Sequence, residues 1–404
     1  MRLASGAVQR RATLDHFIEQ LAERPLGRLD GPVLASLRLG LYELLYLGGA
    51  PDRAVVADAV QLAKEAHSSG HGLVNAVLRR AARQGSGALL ESLSDATPEQ
   101  AAIKHSHPLW VARLWWEYLG AEQARALMAA DNEPAELALR ANTLITDAAQ
   151  AIASLTVPAR RDPAIPEAIV LDGPLDLHAC PLWQRGALLA QSRAAMLVSR
   201  ALAPCPDERV LDLCAAPGGK ATHLAALMQA RGKVVAVERN PRRARALGLA
   251  AERMAAGIVA VEVGDAALPR PPGDLYQRVL VDPPCSGLGT LQARPDLRWR
   301  ATPAAAAQMA RSSAEILRAG ARALCPGGVL VYSTCTISPI ENEQVIATFL
   351  ERHPDFSLDD LTAVLGPRAP GGRTPCWPDR GGALLTLPHR DRTAGFFIAR
   401  LRRA

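Results

Sequence analysis

No apolar run in this chain approaches the ~18 residues that span a membrane, and the opening residues M-R-L-A-S-G-A-V-Q-R-R lack the apolar core of a secretory leader. A cytoplasmic protein is the expectation. The seven cysteines, Cys180, Cys205, Cys214, Cys285, Cys325, Cys335 and Cys376, include no C-x-x-C pair, which argues against a zinc site or a disulfide framework. A special cysteine here is expected to be a reduced thiol kept for its chemistry. Aromatic residues are only 4% of the chain, and Trp110, Trp115 and Trp116 share one helical segment, where packing rather than base stacking is the expected role. Gly219-Lys220 is followed by Ala221 instead of Ser or Thr, which disfavours a Walker-type triphosphate site.

At 404 residues the chain calls for two or three domains. Its 49% hydrophobic and 21% charged content is that of a soluble globular protein. The formal charge of +6, carried mostly by Arg, leans towards a polyanionic partner such as nucleic acid.

The first 130 residues read as helices, over 12–23, 32–47, 52–66, 72–83, 98–105, 108–119 and 121–130. Leu34, Leu37, Leu41, Leu44 and Leu45 form one apolar face, and Thr97-Pro98-Glu99-Gln100 is a capped helix start. Arg79, Arg80 and Arg83 could hold RNA phosphates or complement a helix end, and His71 reads as a polar turn residue. From 131 to 206 short strands at 137–142 and 168–171 stand among Pro158, Pro163, Pro166 and Pro174, followed by a helix over 186–202.

From residue 207 onward strands and helices alternate as in a parallel sheet. Strands are expected at 210–213, 233–238, 258–263, 278–282 and 328–333, helices at 241–256, 303–324 and 339–353, and an antiparallel closing pair at 383–388 and 395–400. The segment 354–380 reads as a long loop. The first strand opens into Cys214-Ala215-Ala216-Pro217-Gly218-Gly219-Lys220, a turn whose backbone lets a ligand approach closely. Glu238 at the next strand end suits ribose hydroxyls and Asp265 an exocyclic amine, so the sheet edge describes a nucleoside ligand. Two thiols reach the same edge, Cys285 in Val281-Asp282-Pro283-Pro284-Cys285 and Cys335 in Ser333-Thr334-Cys335-Thr336. A thiolate adds to an electron-poor ring carbon, and an acid that keeps the ring nitrogen protonated eases that addition.

The stretches C-A-A-P-G-G-K-A-T-H-L, V-D-P-P-C-S-G-L-G-T and Y-S-T-C-T-I-S-P-I-E-N-E resemble the RsmB/NOP/Sun family of RNA cytosine-5 methyltransferases. Upstream, L-R-L-G-L-Y-E-L-L-Y-L and G-L-V-N-A-V-L-R-R-A resemble the NusB-like RNA-binding domain of the bacterial RsmB branch, which methylates 16S ribosomal RNA. The resemblance implies an all-α NusB-like domain at 1–130, a small α+β connector at 131–206 and a Rossmann-like methyltransferase domain at 207–404. It implies S-adenosylmethionine on Cys214, Ala215, Ala216, Pro217, Gly218, Gly219 and Lys220, with Glu238, Asp265 and Asp282 beside it. Cys335 would attack carbon 6 of a flipped cytosine, Asp282 would hydrogen-bond the protonated nitrogen 3, and Cys285 would remove the carbon 5 proton. Small-subunit ribosomal RNA is the implied partner. Related branches act on transfer RNA, and an RNA-binding assembly factor without turnover is a third reading.

The chain departs from the family pattern in places. Asp282-Pro283-Pro284-Cys285 stands for the usual Asp-Ala-Pro-Cys, and Glu238 for the usual Asp. Gln191-Ser192-Arg193-Ala194-Ala195 replaces Q-D-x-S-S, and Ala394 replaces an Asp. The NusB-like region begins partway through, around Val8-Gln9-Arg10-Arg11, which implies a shortened domain.

Overall fold

The computed structural model describes residues 2–66, 69–366 and 383–404. The chain divides into two compact units, Met1–Pro134 with Leu291–Arg300, and Ala135–Thr290 with Ala301–Ala404. The α+β segment expected as a separate connector groups with the sheet that follows it, and a short piece from within the second half groups with the helices. Among the described residues no helix is long and apolar enough to cross a membrane.

In the helical unit, Arg11–Ala22, Gly31–Tyr42, Asp52–Glu65 and His71–Gln84 enclose Leu14, Phe17, Ile18, Leu37, Leu41 and Leu78, all without solvent exposure. Leu37, Leu41 and Leu45 of the expected face are buried, and Leu34 and Leu44 pack partly against it. Thr97 caps Pro98–Lys104 by accepting from the Gln100 N–H at 3.3 Å, and Trp115 is fully buried. Arg80 donates to the Leu21 carbonyl at 2.6 Å and the Glu23 carboxylate at 2.8 Å, so this arginine closes a helix end. Short helices at Arg2–Gln9 and Ser86–Glu91 escaped the sequence reading.

Leu291–Arg300 belongs to this unit through Arg298, which is fully buried. Its guanidinium donates to the carbonyls of Gln9, Ser106 and Asp131 at 3.2, 2.9 and 3.0 Å and to Asn132 Oδ1 at 3.1 Å. Trp299 adds an indole hydrogen bond to the Val8 carbonyl at 2.6 Å. Burial pulls the Arg298 pKa down to about 10, and the group stays charged at neutral pH.

The second unit holds two sheets. The smaller joins β1 (Ala138–Ala141), β2 (Ala159–Arg161), β3 (Ala168–Leu171) and β4 (Leu188–Ala190) in the order β2-β3-β1-β4, all antiparallel. The expected helix over 186–202 is therefore two elements. Leu188–Ala190 pairs with β1, and only Arg193–Leu202 is helical, capped by Ser192 Oγ accepting from the Ala195 N–H at 3.2 Å. Cross-strand pairing overrode a helix-compatible local pattern.

The larger sheet joins β5 (Arg209–Leu213), β6 (Lys233–Glu238), β7 (Val259–Val263), β8 (Tyr276–Val281), β9 (Leu324–Thr334), β10 (Phe356–Leu358), β11 (Ala383–Leu385) and β12 (Phe397–Arg403). Its path is β10-β12-β9-β8-β5-β6-β7, with β11 also on β12. β5 through β9 pair in parallel, while β12 runs antiparallel to β9, β10 and β11. This is a Rossmann-like sheet with an antiparallel closing edge. Thr302 and Pro303 start the helix Pro303–Ala323, which runs directly into β9. The expected loop 354–380 contains β10 and the short helix Thr362–Leu365, and residues 367–380, with Cys376, lie outside the described residues.

Candidate active site

At the carboxyl end of β5 the backbone turns through Cys214, at φ +67°, and Gly218, at φ +101°, before the helix Gly219–Leu227. Gly218 is needed there because a side chain would be strained at that φ. The Ala215 N–H donates to the Val237 carbonyl and the Gly218 N–H to the Ala215 carbonyl, both at 2.9 Å. The turn is thus tied to itself and to β6. Ala215 and Ala216 are buried.

Acids surround this turn. Burial pushes the Cys214 thiol up to about 12, and the charges of Asp282, Asp212, Glu238 and Asp265 push the same way. Cys214 is therefore a neutral lining residue. Glu238, at the end of β6, accepts from the Asn240 N–H at 2.8 Å and faces Arg243 at 3.5 Å. Asp265, following β7, accepts from the Ala267 N–H at 2.9 Å.

Arg243 also donates to the Ala216 carbonyl at 2.8 Å, bridging the turn to Glu238. The sequence reading passed over it, because it sits in an arginine-rich helix start that looks like a solvated face.

The acidic setting suits a cationic nucleoside and repels polyphosphate. Asp212 sharpens this, since it is fully buried and neither of its carboxylate oxygens has a protein partner. Burial raises its pKa to about 8, with Asp282 adding and Lys220 opposing. Unpaired buried acceptors are costly unless a ligand supplies donors or positive charge. S-Adenosylmethionine carries a sulfonium and an ammonium group, so the residues present fit it.

The two thiols meet at the ends of β8 and β9, with Cys285 Sγ 3.4 Å from Cys335 Sγ. Asp282 stands beside them, its Oδ2 2.6 Å from Lys220 Nζ and its Oδ1 accepting from Ser333 Oγ at 2.8 Å. Burial opposes charge on Lys220, but Asp282 and then Cys335 outweigh it, so its pKa is raised and the group is a firm cation. The Cys285 pKa is raised well above the ordinary thiol value, first by its hydrogen bond with Cys335 and then by burial. Either sulfur can donate in this contact, and the raised pKa favours a proton on Cys285.

The support beneath the thiols comes from Glu341 and Asn342, which sequence reasoning quoted but left without a role. Glu341, fully buried, accepts from the Ser286 N–H at 2.7 Å and the Ser286 hydroxyl at 2.5 Å. Ser286 Oγ lies 2.7 Å from Thr336 Oγ1. Asn342 accepts from the Thr334 hydroxyl at 2.6 Å and donates to the Thr336 carbonyl at 3.0 Å. Each cysteine is thus followed or flanked by residues tied to one short segment. Main-chain bonds add to this, since the Gly289 N–H donates to the Cys335 carbonyl at 3.0 Å and the Gly395 N–H to the Gly289 carbonyl at 2.7 Å. A Cβ on Gly289 would stand 1.9 Å from the Gly395 carbonyl oxygen, so only glycine permits that approach. Among the described residues no group of His, Cys, Asp and Glu could hold a metal ion.

A family model described as 16S rRNA methyltransferase RsmB/F matches residues 199–402, a NusB family model matches residues 1–83, and an RsmF/B-like ferredoxin-like domain matches 107–178. A probable ribosomal RNA small subunit methyltransferase B of Synechocystis is 37% identical, covering 100% of this chain and 90% of that protein. The Bacillus subtilis protein of the same name is 34% identical over 99% of this chain and 89% of its own length. Among solved structures, PH0851 is 27% identical with a TM-score of 0.81, covering 100% of this chain and 89% of that one. The chain therefore belongs to the RsmB/F family of methyltransferases, with S-adenosylmethionine as methyl donor.

Proposed function

We propose that this protein methylates carbon 5 of a cytidine in small-subunit ribosomal RNA through a covalent adduct with Cys335. The observation that carries the reading is a pair of thiols 3.4 Å apart beside an ion-paired acid. A nitrogen-directed or ribose-directed methyltransferase has no use for two thiols. The RNA class is supported by the names of relatives that align over the whole chain and by the net charge of +6.

The turn 214–220, Glu238, Asp265 and Asp282 hold the donor, which supplies an electrophilic methyl group. Lys220, whose protonated form the charge of Cys335 favours, favours the Cys335 thiolate in return. Cys285 donates its S–H to that thiolate. Cys335 adds to carbon 6 of the cytosine, nitrogen 3 takes up a proton from solvent, and Asp282 hydrogen-bonds the protonated nitrogen. Lys220 and Ser333 fix the Asp282 carboxylate and leave each oxygen a further lone pair for that bond. Electron density then rises at carbon 5, which accepts the methyl group.

Once its sulfur is bonded to carbon 6, Cys335 carries no charge, and the main cause of the raised Cys285 pKa is gone. Cys285 gives its proton to solvent and takes the proton from carbon 5. Elimination then releases the Cys335 thiolate and the nitrogen 3 proton. One proton is released per methyl transferred, as the stoichiometry requires.

The test is transfer of labelled methyl to undermethylated small-subunit RNA, with nuclease digestion to identify the product. The expected product is 5-methylcytidine, and Cys335→Ala should lower the rate by about 10⁴-fold or more. Full activity in Cys335→Ala, or a label on another atom, contradicts the reading.

A further inference from the structure

The four-stranded sheet contributes one side chain whose placement packing alone does not explain. Arg140, on β1, is fully buried and lies opposite Ala168 of β3 and Leu189 of β4. Its Nη2 donates to the Thr222 hydroxyl at 2.8 Å, and its Nη1 donates to the Gly219 carbonyl and, at 2.5 Å, to Gln191 Oε1. Thr222 passes the grip onward, its hydroxyl donating to the Gly218 carbonyl at 2.7 Å. Two of the three acceptors therefore belong to the first turn of Gly219–Leu227, and one of them, the Thr222 hydroxyl, extends the contact to Gly218 itself.

This arrangement is expensive for stability. Arg140 Nε has no partner, and burial pulls the guanidinium pKa down to about 9, with Glu167 opposing. The cation also lies at the positive end of a helix dipole, where charge of that sign is disfavoured. A well-packed apolar side chain would join the two sheets at lower cost. What an apolar residue cannot do is set the orientation of a carbonyl and a hydroxyl at once, which the planar fork of arginine does.

We propose that Arg140 is a positioning residue for methyl-donor binding, fixing Gly218 and Gly219 through its bonds to the Gly219 carbonyl and the Thr222 hydroxyl. The inference rests on the turn 214–220 being the donor site. It makes the small sheet a structural part of that site.

The experiment measures S-adenosylmethionine affinity of the full-length protein by calorimetry, alongside RNA affinity and the thermal midpoint. Arg140→Lys keeps the charge and loses the fork. Losing one charge-assisted hydrogen bond costs about 1.5 kcal/mol, so donor affinity should fall about tenfold. The donor KM should rise while kcat at saturating donor and RNA affinity stay within about twofold. Thr222→Val should weaken donor binding about threefold and serves if the lysine variant fails to fold.

Wild-type donor affinity in both variants overturns the inference, as does a joint loss of donor affinity, RNA affinity and thermal midpoint. Gly218→Val, which strains the turn directly, separates the two levels. If it leaves donor affinity intact, the turn assignment fails and the inference with it. If Gly218→Val abolishes binding while Arg140→Lys does not change it, only the role of Arg140 fails.

Discussion

The turn proposed to hold the donor and the thiol loops leave the same sheet edge but are held by different means. The turn is shaped by its own backbone, through positive φ at Cys214 and Gly218, and by donors to its carbonyls from Arg243 and Arg140. The thiol loops are shaped by side chains of another segment, with Glu341 and Asn342 gripping Ser286, Thr334 and Thr336. The thiol in the turn is kept neutral by burial and surrounding acids, whereas Cys335 lies 3.4 Å from a second thiol and interacts electrostatically with the Lys220 cation. Residue type alone does not make a nucleophile; the charges around it do.

The contrast can be broken most forcefully at Gly289. Adding a Cβ there forces apart the Gly289 and Gly395 backbones, which should cost about 3 kcal/mol of stability and most of the methyl transfer. Because Gly289 lies outside the turn, donor affinity of the folded fraction should survive. Urea unfolding and calorimetry on Gly289→Ala check both halves.

Next in size is Glu341→Gln. The amide still accepts from one Ser286 donor but replaces an acceptor oxygen with NH2, so kcat should fall about 30-fold to 100-fold, corresponding to ~2–3 kcal/mol. The donor Kd should not move. Steady-state kinetics against donor binding would show whether the two supports are in fact independent.

The base of the turn has a pH dependence of its own. His223, in the helix after the turn, is buried 2.8 Å from Glu167, and burial pulls its pKa down to about 4 from an ordinary value near 6.5. Its folded pKa lies below its unfolded one, so its stability contribution is full above ~6.5 and is lost as pH falls towards 4. Between pH 7.5 and 5 the loss should be about 2 kcal/mol. The Glu167 carboxyl, held well below the ordinary range by His223 and Arg200 against the opposing effect of burial, loses stability in the same direction at lower pH. Urea midpoints across that range measure the slope, and His223→Gln should flatten it.

The smallest expected effect is at Arg243. Removing its bond to the Ala216 carbonyl in Arg243→Ala should weaken donor binding about fivefold, or ~1 kcal/mol, and leave kcat at saturation unchanged.

The same comparison explains what could be read in advance. Strands β5 to β8 were legible to within two residues, because short apolar runs bounded by acid, glycine or proline carry their own signal. The turn was legible for the same reason, its backbone being written in adjacent Pro and Gly. β4 was misread as helix because its strand character comes from pairing with β1, which no local pattern announces. Arg243, Glu341 and Arg140 were missed because each acts on a partner far along the chain, Ala216 at a separation of 27, Ser286 at 55, and Gly219 and Thr222 at 79 and 82. Arg298 was missed likewise, its acceptors lying as far as 289 residues upstream. The two cysteines proposed as catalytic were visible as thiols at strand ends, yet their division of labour came from resemblance and not from spacing.

The central claim is that Cys335 forms the covalent bond to RNA and Cys285 allows its release. The most direct measurement is denaturing gel electrophoresis of protein mixed with labelled substrate RNA and S-adenosylmethionine, comparing wild type, Cys285→Ala, Cys335→Ala and the double variant. Cys285→Ala should accumulate a denaturation-resistant protein–RNA complex, and both variants lacking Cys335 should form none. A stable complex in Cys335→Ala that disappears in the double variant would contradict the account, because the nucleophile would then be Cys285.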